Sequence, residues 1–415
     1  MKNVAITGIG VLTAAGIGKA NFWRHIRHGQ SFISPITRFD ASRYPSRIAG
    51  QIKDLDAYSS ISPRLLKKID AFSHMSLVAS ELALKDAHID LAQEDLDNVG
   101  IFAGNAIGGW LYAETELRDL YIEGREGVSP FMASAWFPAA PQGQVSIAYG
   151  IKGFSKTFVA DRAGSLMAIA YGAKAVERRG LDIVLAGGME APVSPYALLC
   201  CNTNGSLSLN NDTPESAYRP FDKNRDGFVI GEGSGIVTLE SQERAKGRDA
   251  KIHGFIRGFG TTCDGVSRID PAIDGDELAR AIRLAMEEAE FDLESIDYIC
   301  ADAAATKIGD ISETNAIKKV FGKRAKSIPV SAPKAMYGNL LGASGSVDMI
   351  STLLAMEHGL IPPTINYKNS DPQCDLDYVP NKSQSKQINR ALVISRGRGG
   401  INAVLALEKG EDKNE

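Results

Sequence analysis

Short apolar runs alternate with longer helical patterns along the whole chain, and this alternation limits the possible folds more than any other feature. The clearest strand candidates are residues 4–7, 183–186, 235–239, 296–300 and 391–395. Apolar spacing of three and four predicts helices at 72–87, 165–179, 275–289 and 347–358. Short strands that alternate with helices are typical of an α/β protein with largely parallel strands.

The chain has one clear seam, the polar stretch at residues 241–250. On either side of it, strand, helix and glycine-rich turn segments follow in similar order. This pattern predicts two pseudo-duplicated halves that share one core, an N-terminal half at 1–245 and a C-terminal half at 251–408. The polar residues 409–415 are predicted to be a flexible tail.

Composition argues against several classes of function. The formal net charge is −4 and like charges form no long run, so neither nucleic acid nor an anionic membrane is an expected partner. No stretch of 18 apolar residues occurs, and none of the five cysteines has C-x-x-C spacing. We therefore expect a reduced cytoplasmic protein with no metal site.

Two familiar patterns in the sequence are incomplete. Residues 222–227 resemble the start of a calcium loop, but the twelfth position, which needs a bidentate carboxylate, is Gly233. Gly8 and Gly10 follow the first strand candidate as in a dinucleotide-binding turn, but the third glycine of that turn is missing. Neither calcium nor a nicotinamide cofactor is expected.

Blocks of sequence at 4–11, 185–190, 219–233 and 342–347 resemble the β-ketoacyl-acyl-carrier-protein synthases, and the similarity covers nearly all of residues 1–408. The resemblance implies an α/β, thiolase-like fold in which two βαβαβ halves form five α-β-α-β-α layers. It also implies a dimer that binds no cofactor directly. The substrate would be an acyl chain on a phosphopantetheine arm, delivered by an acyl carrier protein.

The residues that match the catalytic positions of the family depart from its chemistry. Active members use a cysteine thiolate at a helix N-terminus and two histidines. The matching segments here carry Arg162, Asp302 and Asn339. A guanidinium group cannot act as a nucleophile, and a buried cation at a helix N-terminus needs a partner. We expect Arg162 and Asp302 to form a buried pair that fills the pocket, with Asp161 as a second candidate partner.

Other family positions are retained. Lys334, Asp310 and Glu313 match the pattern, and the resemblance implies a structural ion pair of Lys334 with Glu313, a catalytic role being the alternative. The glycine-rich gating segment of the family contains Arg398 here, with Arg396 just before it.

Residues 135–147 resemble a block of the chain-length factors, or ketosynthase-β subunits, of type II polyketide synthases. In that family the usual replacement for the nucleophile is glutamine, whereas this chain has an arginine. The resemblance predicts an inactive subunit that forms a heterodimer with an active ketosynthase-α and shapes the polyketide tunnel. It assigns the chain-length gate to Trp110, Ala113 and Leu117 on one helix, with Ser134 opposite; alternatively, Trp110 and Leu117 are ordinary core residues.

Two other functions stay open at this point. One is a stand-alone enzyme with altered acyl-transfer chemistry, which would use Asp302 or a cysteine away from the family position. The other is a purely structural homodimer. Residues 152–160 match the strand that pairs across the two-fold axis of ketosynthases, and the resemblance implies that the predicted heterodimer is built around this strand.

Overall fold

The computed structural model describes residues 4–53, 55 and 61–410. Its strands are β1 (Val4–Thr13), β2 (Gly16–Ile17), β3 (Ile33–Pro35), β4 (Ile48–Gly50), β5 (Val99–Asn105), β6 (Lys156–Val159), β7 (Ile183–Glu190), β8 (Gly233–Ser241), β9 (Gly254–Cys263), β10 (Tyr298–Cys300), β11 (Val330–Ser331), β12 (Leu360–Ile361), β13 (Gln384–Ser385), β14 (Arg390–Gly397) and β15 (Ile401–Lys409). Its α-helices are α1 (Lys19–Ile26), α2 (Pro63–Leu66), α3 (Ala71–Asp86), α4 (Trp110–Glu123), α5 (Met132–Trp136), α6 (Ala140–Tyr149), α7 (Gly164–Arg179), α8 (Pro195–Thr203), α9 (Gln242–Gly247), α10 (Asp276–Ala289), α11 (Lys307–Phe321) and α12 (Ser344–His358).

The two halves of the chain build the same arrangement of strands. In the N-terminal half the spatial order is β6-β5-β7-β8-β1, and in the C-terminal half it is β11-β10-β14-β15-β9. When the five strands of each half are counted in chain order, the third (β6 or β11) lies at the outer edge. The first (β1 or β9) lies at the centre of the molecule. The halves join where β1 pairs with β9, through residues 4–6 and 254–256.

Strand direction also repeats, and it corrects the expectation of largely parallel strands. In each half the two outer pairs are parallel and the two inner pairs are antiparallel. Apolar runs reveal burial but not direction, so the sequence pattern could not distinguish the antiparallel neighbours β8 and β15 from parallel ones.

The helices complete the five layers that the resemblance implied. Helix α3 covers β1 and β8, and α10 covers β9 and β15. Helices α7 and α12 contact one another and lie between the two halves of the large sheet. Every residue from Ser344 to Met356 in α12 is buried, as expected for a helix surrounded by protein on all sides.

Glycines on the two central strands allow the outer helices to pack closely. A Cβ atom on Gly10 of β1 would lie 1.9 Å from the carbonyl oxygen of Ala79 in α3. A Cβ atom on Gly260 of β9 would lie at the same distance from the carbonyl oxygen of Ala281 in α10. The glycines of the incomplete dinucleotide pattern therefore serve helix packing, and the second half repeats the device.

The predicted strands and helices are all present, within a few residues at their ends. In the sequence, Ser165 is a possible N-terminal cap of the helix predicted at 165–179, and Gly180 is its predicted stop. Gly180 follows α7 in a left-handed conformation (φ 66°), as predicted. The Ser165 cap is wrong, because Ala163 occupies the cap position and Ser165 Oγ accepts a hydrogen bond from the Ser346 N–H instead.

Other expectations concern the ends and surface of the chain. Strand β15 includes Lys409, the first residue of the predicted tail, and residues 411–415 lie outside the described residues. Among the described residues, no helix has both the length and the apolar character needed to span a membrane. In the same part of the chain, no group of three or more histidine, cysteine or acidic residues is arranged to hold a metal ion.

Candidate active site

Arg162 lies in a turn of 3₁₀-helix, residues 161–163, that leads from β6 into the N-terminus of α7. Its Nε donates a hydrogen bond to the carbonyl oxygen of Arg396 at 2.6 Å, and its own carbonyl oxygen accepts one from Ser395 Oγ at 2.8 Å. Its Nη2 lies 3.7 Å from Asp302 Oδ2. The predicted contact between Arg162 and Asp302 is therefore confirmed, as a buried ion pair between the two halves.

The charge of Arg162 depends on its neighbours. Burial alone would lower the pKa of Arg162, but the carboxylates of Asp302 and Asp161 outweigh burial and raise it above its ordinary value. The Asp161 carboxylate also accepts a hydrogen bond from the Arg398 N–H at 2.6 Å. The second candidate partner therefore acts on Arg162 through its charge, while it binds the loop after β14.

Asp302 follows β10 and is held from two directions. Its Oδ1 accepts a hydrogen bond from the Arg396 N–H at 3.0 Å. The backbone N–H groups of Asp302 and Ala303 donate to the Glu313 carboxylate at 2.8 and 2.9 Å. Burial and the neighbouring Asp302 raise the pKa of Glu313 to about 7. The Glu313 carboxyl group can therefore gain or lose a proton near neutral pH.

The ion pair predicted between Lys334 and Glu313 is not formed. Lys334 Nζ instead lies 2.6 Å from Asp348 Oδ2, in a fully buried pair. Glu313 faces the 302–303 backbone from α11, whereas Lys334 faces α12 from another turn. Burial lowers the pKa of Lys334, but Asp348 more than compensates and raises it. Asp310 also has its own partner, Arg225, at 3.3 Å.

Asn339 is buried and its side chain is occupied by structural hydrogen bonds. Its Oδ1 accepts bonds from the Leu341 N–H at 3.0 Å and from Ser344 Oγ at 3.1 Å. Its Nδ2 lies 3.5 Å from the hydroxyl of Tyr218, which in turn donates to the carbonyl oxygen of Ala303. Asn339 thus supports the loop that carries Asp302.

Arg396 lies near the end of β14, and Arg398 belongs to the turn between β14 and β15. Arg396 is buried, donates to Asn402 Oδ1 at 2.9 Å and to Ser312 Oγ at 3.1 Å, and lies 3.5 Å from Asp264. Burial lowers the pKa of Arg396. Arg398 is partly exposed, and Gly399 follows it in a left-handed conformation (φ 76°). The gating role of this turn stays a prediction.

A cavity of about 40 Å³ lies where these groups converge. The charged residues that line it are three arginines and two aspartates: Arg162, Arg396, Arg398, Asp302 and Asp270. Ser206 and Thr306 add hydroxyl groups, and Phe228, Ile269 and Pro271 add apolar surface. The cavity is therefore a small, strongly polar site that spans both halves of the chain.

The four residues assigned to the chain-length gate do not line this cavity. Trp110 packs against Tyr196, with ring centroids 4.4 Å apart, and Ala113 is buried. Leu117 is 38% exposed, so it is not a core residue in this chain, and Ser134 is exposed as well. Their role as a gate stays a prediction.

The layered fold, the repeated strand order and a site at the N-terminus of the central helix α7 together define a thiolase-like ketosynthase. The family model for the β-ketoacyl synthase N-terminal domain matches residues 1–245, and that for the C-terminal domain matches residues 253–368. The chain belongs to the β-ketoacyl synthase family.

Two curated relatives carry the name 3-oxoacyl-[acyl-carrier-protein] synthase 2. The protein of Synechocystis sp. is 38% identical over 408 residues, with 98% of each chain covered. The protein of Staphylococcus aureus (strain COL) is 38% identical over 410 residues, with 99% of each chain covered.

Two solved structures of ketosynthases are also similar to this chain. One is a type II PKS acyl-carrier protein in complex with its ketosynthase bound to the hexaketide, AntDE:AntF (TM-score 0.92, 30% identity, covering 99% of this chain and 100% of that chain). Another is the ishigamide ketosynthase/chain length factor (TM-score 0.91, 30% identity, covering 98% and 99%).

These relatives overturn the prediction of a catalytically inactive chain-length factor, and with it the expectation of no independent catalysis. The full-length curated relatives are named as synthases, and they are more similar to this chain than the ketosynthase/chain length factor structure is. The prediction gave the three substitutions at 162, 302 and 339 too much weight. Arg162 removes one nucleophile, but charged and hydrogen-bonding groups still line a cavity beside it.

The sequence did not reveal several residues of the site. The partner of Lys334, the loop support from Asn339 and Tyr218, and the contact of Ser395 with Arg162 all join segments distant in sequence. Of the residues around this site, only the two arginines at 396 and 398 stood out in the sequence.

Proposed function

We propose that this chain is a β-ketoacyl synthase-family enzyme that takes acyl groups from thioesters on an acyl carrier protein. In this proposal an acceptor attacks the thioester directly, and no acyl-enzyme forms at residue 162. The observation that carries it is the Arg162–Asp302 pair, which borders the cavity at the N-terminus of α7. The names of the full-length relatives support the reaction class and the carrier-bound substrate.

Arg162 is suited to stabilise the oxyanion of such a reaction. Its Nε is held by the Arg396 carbonyl oxygen, and among the described residues its terminal nitrogens have only the Asp302 carboxylate, at 3.7 Å, as a partner. Those N–H groups can donate to the thioester oxygen as it gains negative charge. A guanidinium stays protonated throughout, so it supplies charge and donors without transferring a proton.

Asp302 is suited to act as the general base. As the lone pair of the acceptor bonds to the carbonyl carbon, Asp302 takes the proton of the acceptor. The C–S bond then breaks, and the sulfur of the carrier leaves and receives that proton. The Arg396 N–H and the Glu313 contacts to the 302–303 backbone keep the carboxylate in position.

The proposal also includes a dimer and a cytoplasmic location. Strand β6 is the outer strand of its half, and Val159 at its end is 57% exposed. Exposed apolar side chains surround it on neighbouring elements, among them Phe137 and Ile147. This surface supports pairing with a second ketosynthase-fold subunit, and we propose a second copy of this chain as that subunit.

The test uses the purified chain and acyl carrier protein loaded with acetyl, butyryl or octanoyl groups. Mass spectrometry of the intact proteins follows the loss of the acyl group, with water as the default acceptor. We expect deacylation that depends on the chain and leaves no adduct on it. Asp302→Asn should lower the rate by about 10²-fold, because the general base is lost.

Asp212→Asn, which changes an exposed aspartate, is the matched control and should keep the wild-type rate. A covalent acyl adduct on this chain, or equal rates for Asp302→Asn and wild type, would contradict direct transfer.

A further inference from the structure

The size of the cavity limits what it can bind. At about 40 Å³ it has room for roughly three water-sized groups, which is too little for a fatty acyl chain. A carrier-bound acyl group would therefore stay at the mouth, beside Ile269 and Pro271. The interior fits a group of about three atoms, such as the carboxylate of the second substrate, the acceptor.

The charges of the cavity indicate the chemistry of that acceptor. Arg162 is paired with Asp302, and Arg396 lies 3.5 Å from Asp264. Within the described part of the chain, no carboxylate lies within ion-pairing distance of the Arg398 guanidinium. Its backbone N–H is bound to Asp161, and its side chain lies beside the Cys201 thiol. Arg398 thus brings a cation to the cavity without a fixed anion.

We propose that Arg398 forms a subsite for a free carboxylate, and that the acceptor is a small carboxylic acid that carries an amine or a hydroxyl group. This inference rests on the proposed acyl transfer. Guanidinium groups bind carboxylates through paired, charge-assisted hydrogen bonds. The hydroxyl groups of Ser206 and Thr306 line the same space and can complete the contacts.

Such an acceptor would place its nucleophile correctly. In an α-amino or α-hydroxy acid, the nucleophilic atom is two bonds from the carboxylate carbon. With the carboxylate on Arg398, that atom would face Asp302, the proposed base, which lines the same cavity. The new C–N or C–O bond forms as the C–S bond breaks, and the proton of the nucleophile passes through Asp302 to the sulfur of the carrier.

Binding is tested first, because it does not depend on turnover. Glycine is compared with glycinamide, and glycolate with glycolamide, by calorimetric titration of the full chain. Each pair differs only in the carboxylate. We expect the acid of at least one pair to bind about tenfold more tightly than its amide. Arg398→Gln should abolish this preference, and Arg398→Lys should retain part of it.

Arg268→Gln removes an exposed arginine outside the cavity lining and serves as the control, with the preference intact. Thermal unfolding of each variant verifies that it is folded. No preference for the acid in either pair, or a preference that survives Arg398→Gln, would overturn the subsite.

Turnover then separates this inference from the proposed function. With butyryl-loaded carrier protein, glycine or glycolate should yield its butyryl derivative, detected by mass spectrometry. If the carrier is deacylated while neither acid is preferred in binding, the acyl transfer stands and the subsite is wrong. If the acid is preferred in binding but the carrier is never deacylated, the subsite stands and the proposed transfer is wrong.

Discussion

Position 162 carries a cation where the family resemblance implies a nucleophile, and the contacts of Arg162 explain how the fold accommodates it. A buried cation at the N-terminus of a helix is unfavourable by itself. Here the Arg396 carbonyl oxygen and the Asp302 carboxylate compensate, and both come from the other half of the chain. The candidate site is therefore also a contact that joins the two halves.

Sequence reasoning succeeded for this pair because each residue stands at a recognisable position in a family block. It failed for Lys334, whose partner was assigned from shared family positions rather than from geometry. The structure pairs Lys334 with Asp348 in α12, and nothing in the local pattern distinguishes that carboxylate from Glu313. Long-range partners depend on how turns are oriented, and local patterns do not contain that information.

Glu313 should give the reaction a pH dependence near neutrality. Its pKa is raised to about 7 by burial and by Asp302, so it is neutral below that pH and anionic above it. The Glu313 anion accepts the hydrogen bonds from the Asp302 and Ala303 N–H groups more strongly than the neutral acid and so holds Asp302 in position, and we expect deacylation to rise as pH increases through about 7. Glu313→Gln should remove this step in the pH–rate profile.

The same titration predicts a change in stability. Because the folded-state pKa is raised above the ordinary value of 4.5, folding is favoured most at low pH, and this contribution is lost as pH rises through about 7. Between pH 5 and pH 8, wild type should lose on the order of 2–3 kcal/mol of unfolding free energy relative to Glu313→Gln. Urea denaturation measures this, with exposed Glu243→Gln as control. Equal pH profiles for wild type and Glu313→Gln would refute this assignment.

At the scale of elements, the glycines of the central strands allow α3 and α10 to pack directly against the sheet. Gly10→Ala would place a methyl group against the backbone of α3, where a Cβ would lie 1.9 Å from the Ala79 carbonyl oxygen. We expect unfolding free energy to fall by about 3 kcal/mol, measured by urea denaturation. Gly247→Ala, at the exposed end of α9 with open space around it, should change it by less than about 0.5 kcal/mol. A similar small effect for Gly10→Ala would mean that α3 can move away from β1.

Most elements were predictable, because burial imposes a period on the sequence. Helix α10 shows this well, with Leu278, Ile282 and Ala285 on its buried face. Strand direction was not predictable, because β14 and β15 are both buried and apolar whichever way they run. The predicted cap of α7 was also wrong, because the Ser165 side chain accepts a hydrogen bond from α12 instead of from its own helix.

At the scale of the whole molecule, the repeat of one strand order explains why the site lies where it does. The first strands and the central helices of the two halves meet at the centre, and Arg162 after β6 of one half pairs there with Asp302 after β10 of the other. The division at residues 245–251 remains our proposal for the boundary between these halves. It is supported by the fact that β8 and β9, on either side of it, both pair with β1.

Assembly of the molecule follows from the surface that the single chain leaves exposed. Ile147 in α6 is 78% exposed and Val159 in β6 is 57% exposed, although both are apolar and lie near an outer strand. An edge strand with apolar surroundings favours pairing with another chain. We expect wild type to be a dimer in solution by light scattering coupled to gel filtration.

The variant Ile147→Lys should shift this dimer towards the monomer, because the substitution buries an unpaired charge in the interface. Leu293→Lys changes another exposed apolar residue, on a turn before β10, and should leave the mass unchanged. A monomeric wild type, or an unaffected dimer in Ile147→Lys, would exclude this surface from assembly. A wild type that dimerises only when expressed with a second ketosynthase would mean that the same surface selects a different partner. The exposed strand and its apolar surroundings would then account for pairing, while the choice of partner would depend on side chains at the rim.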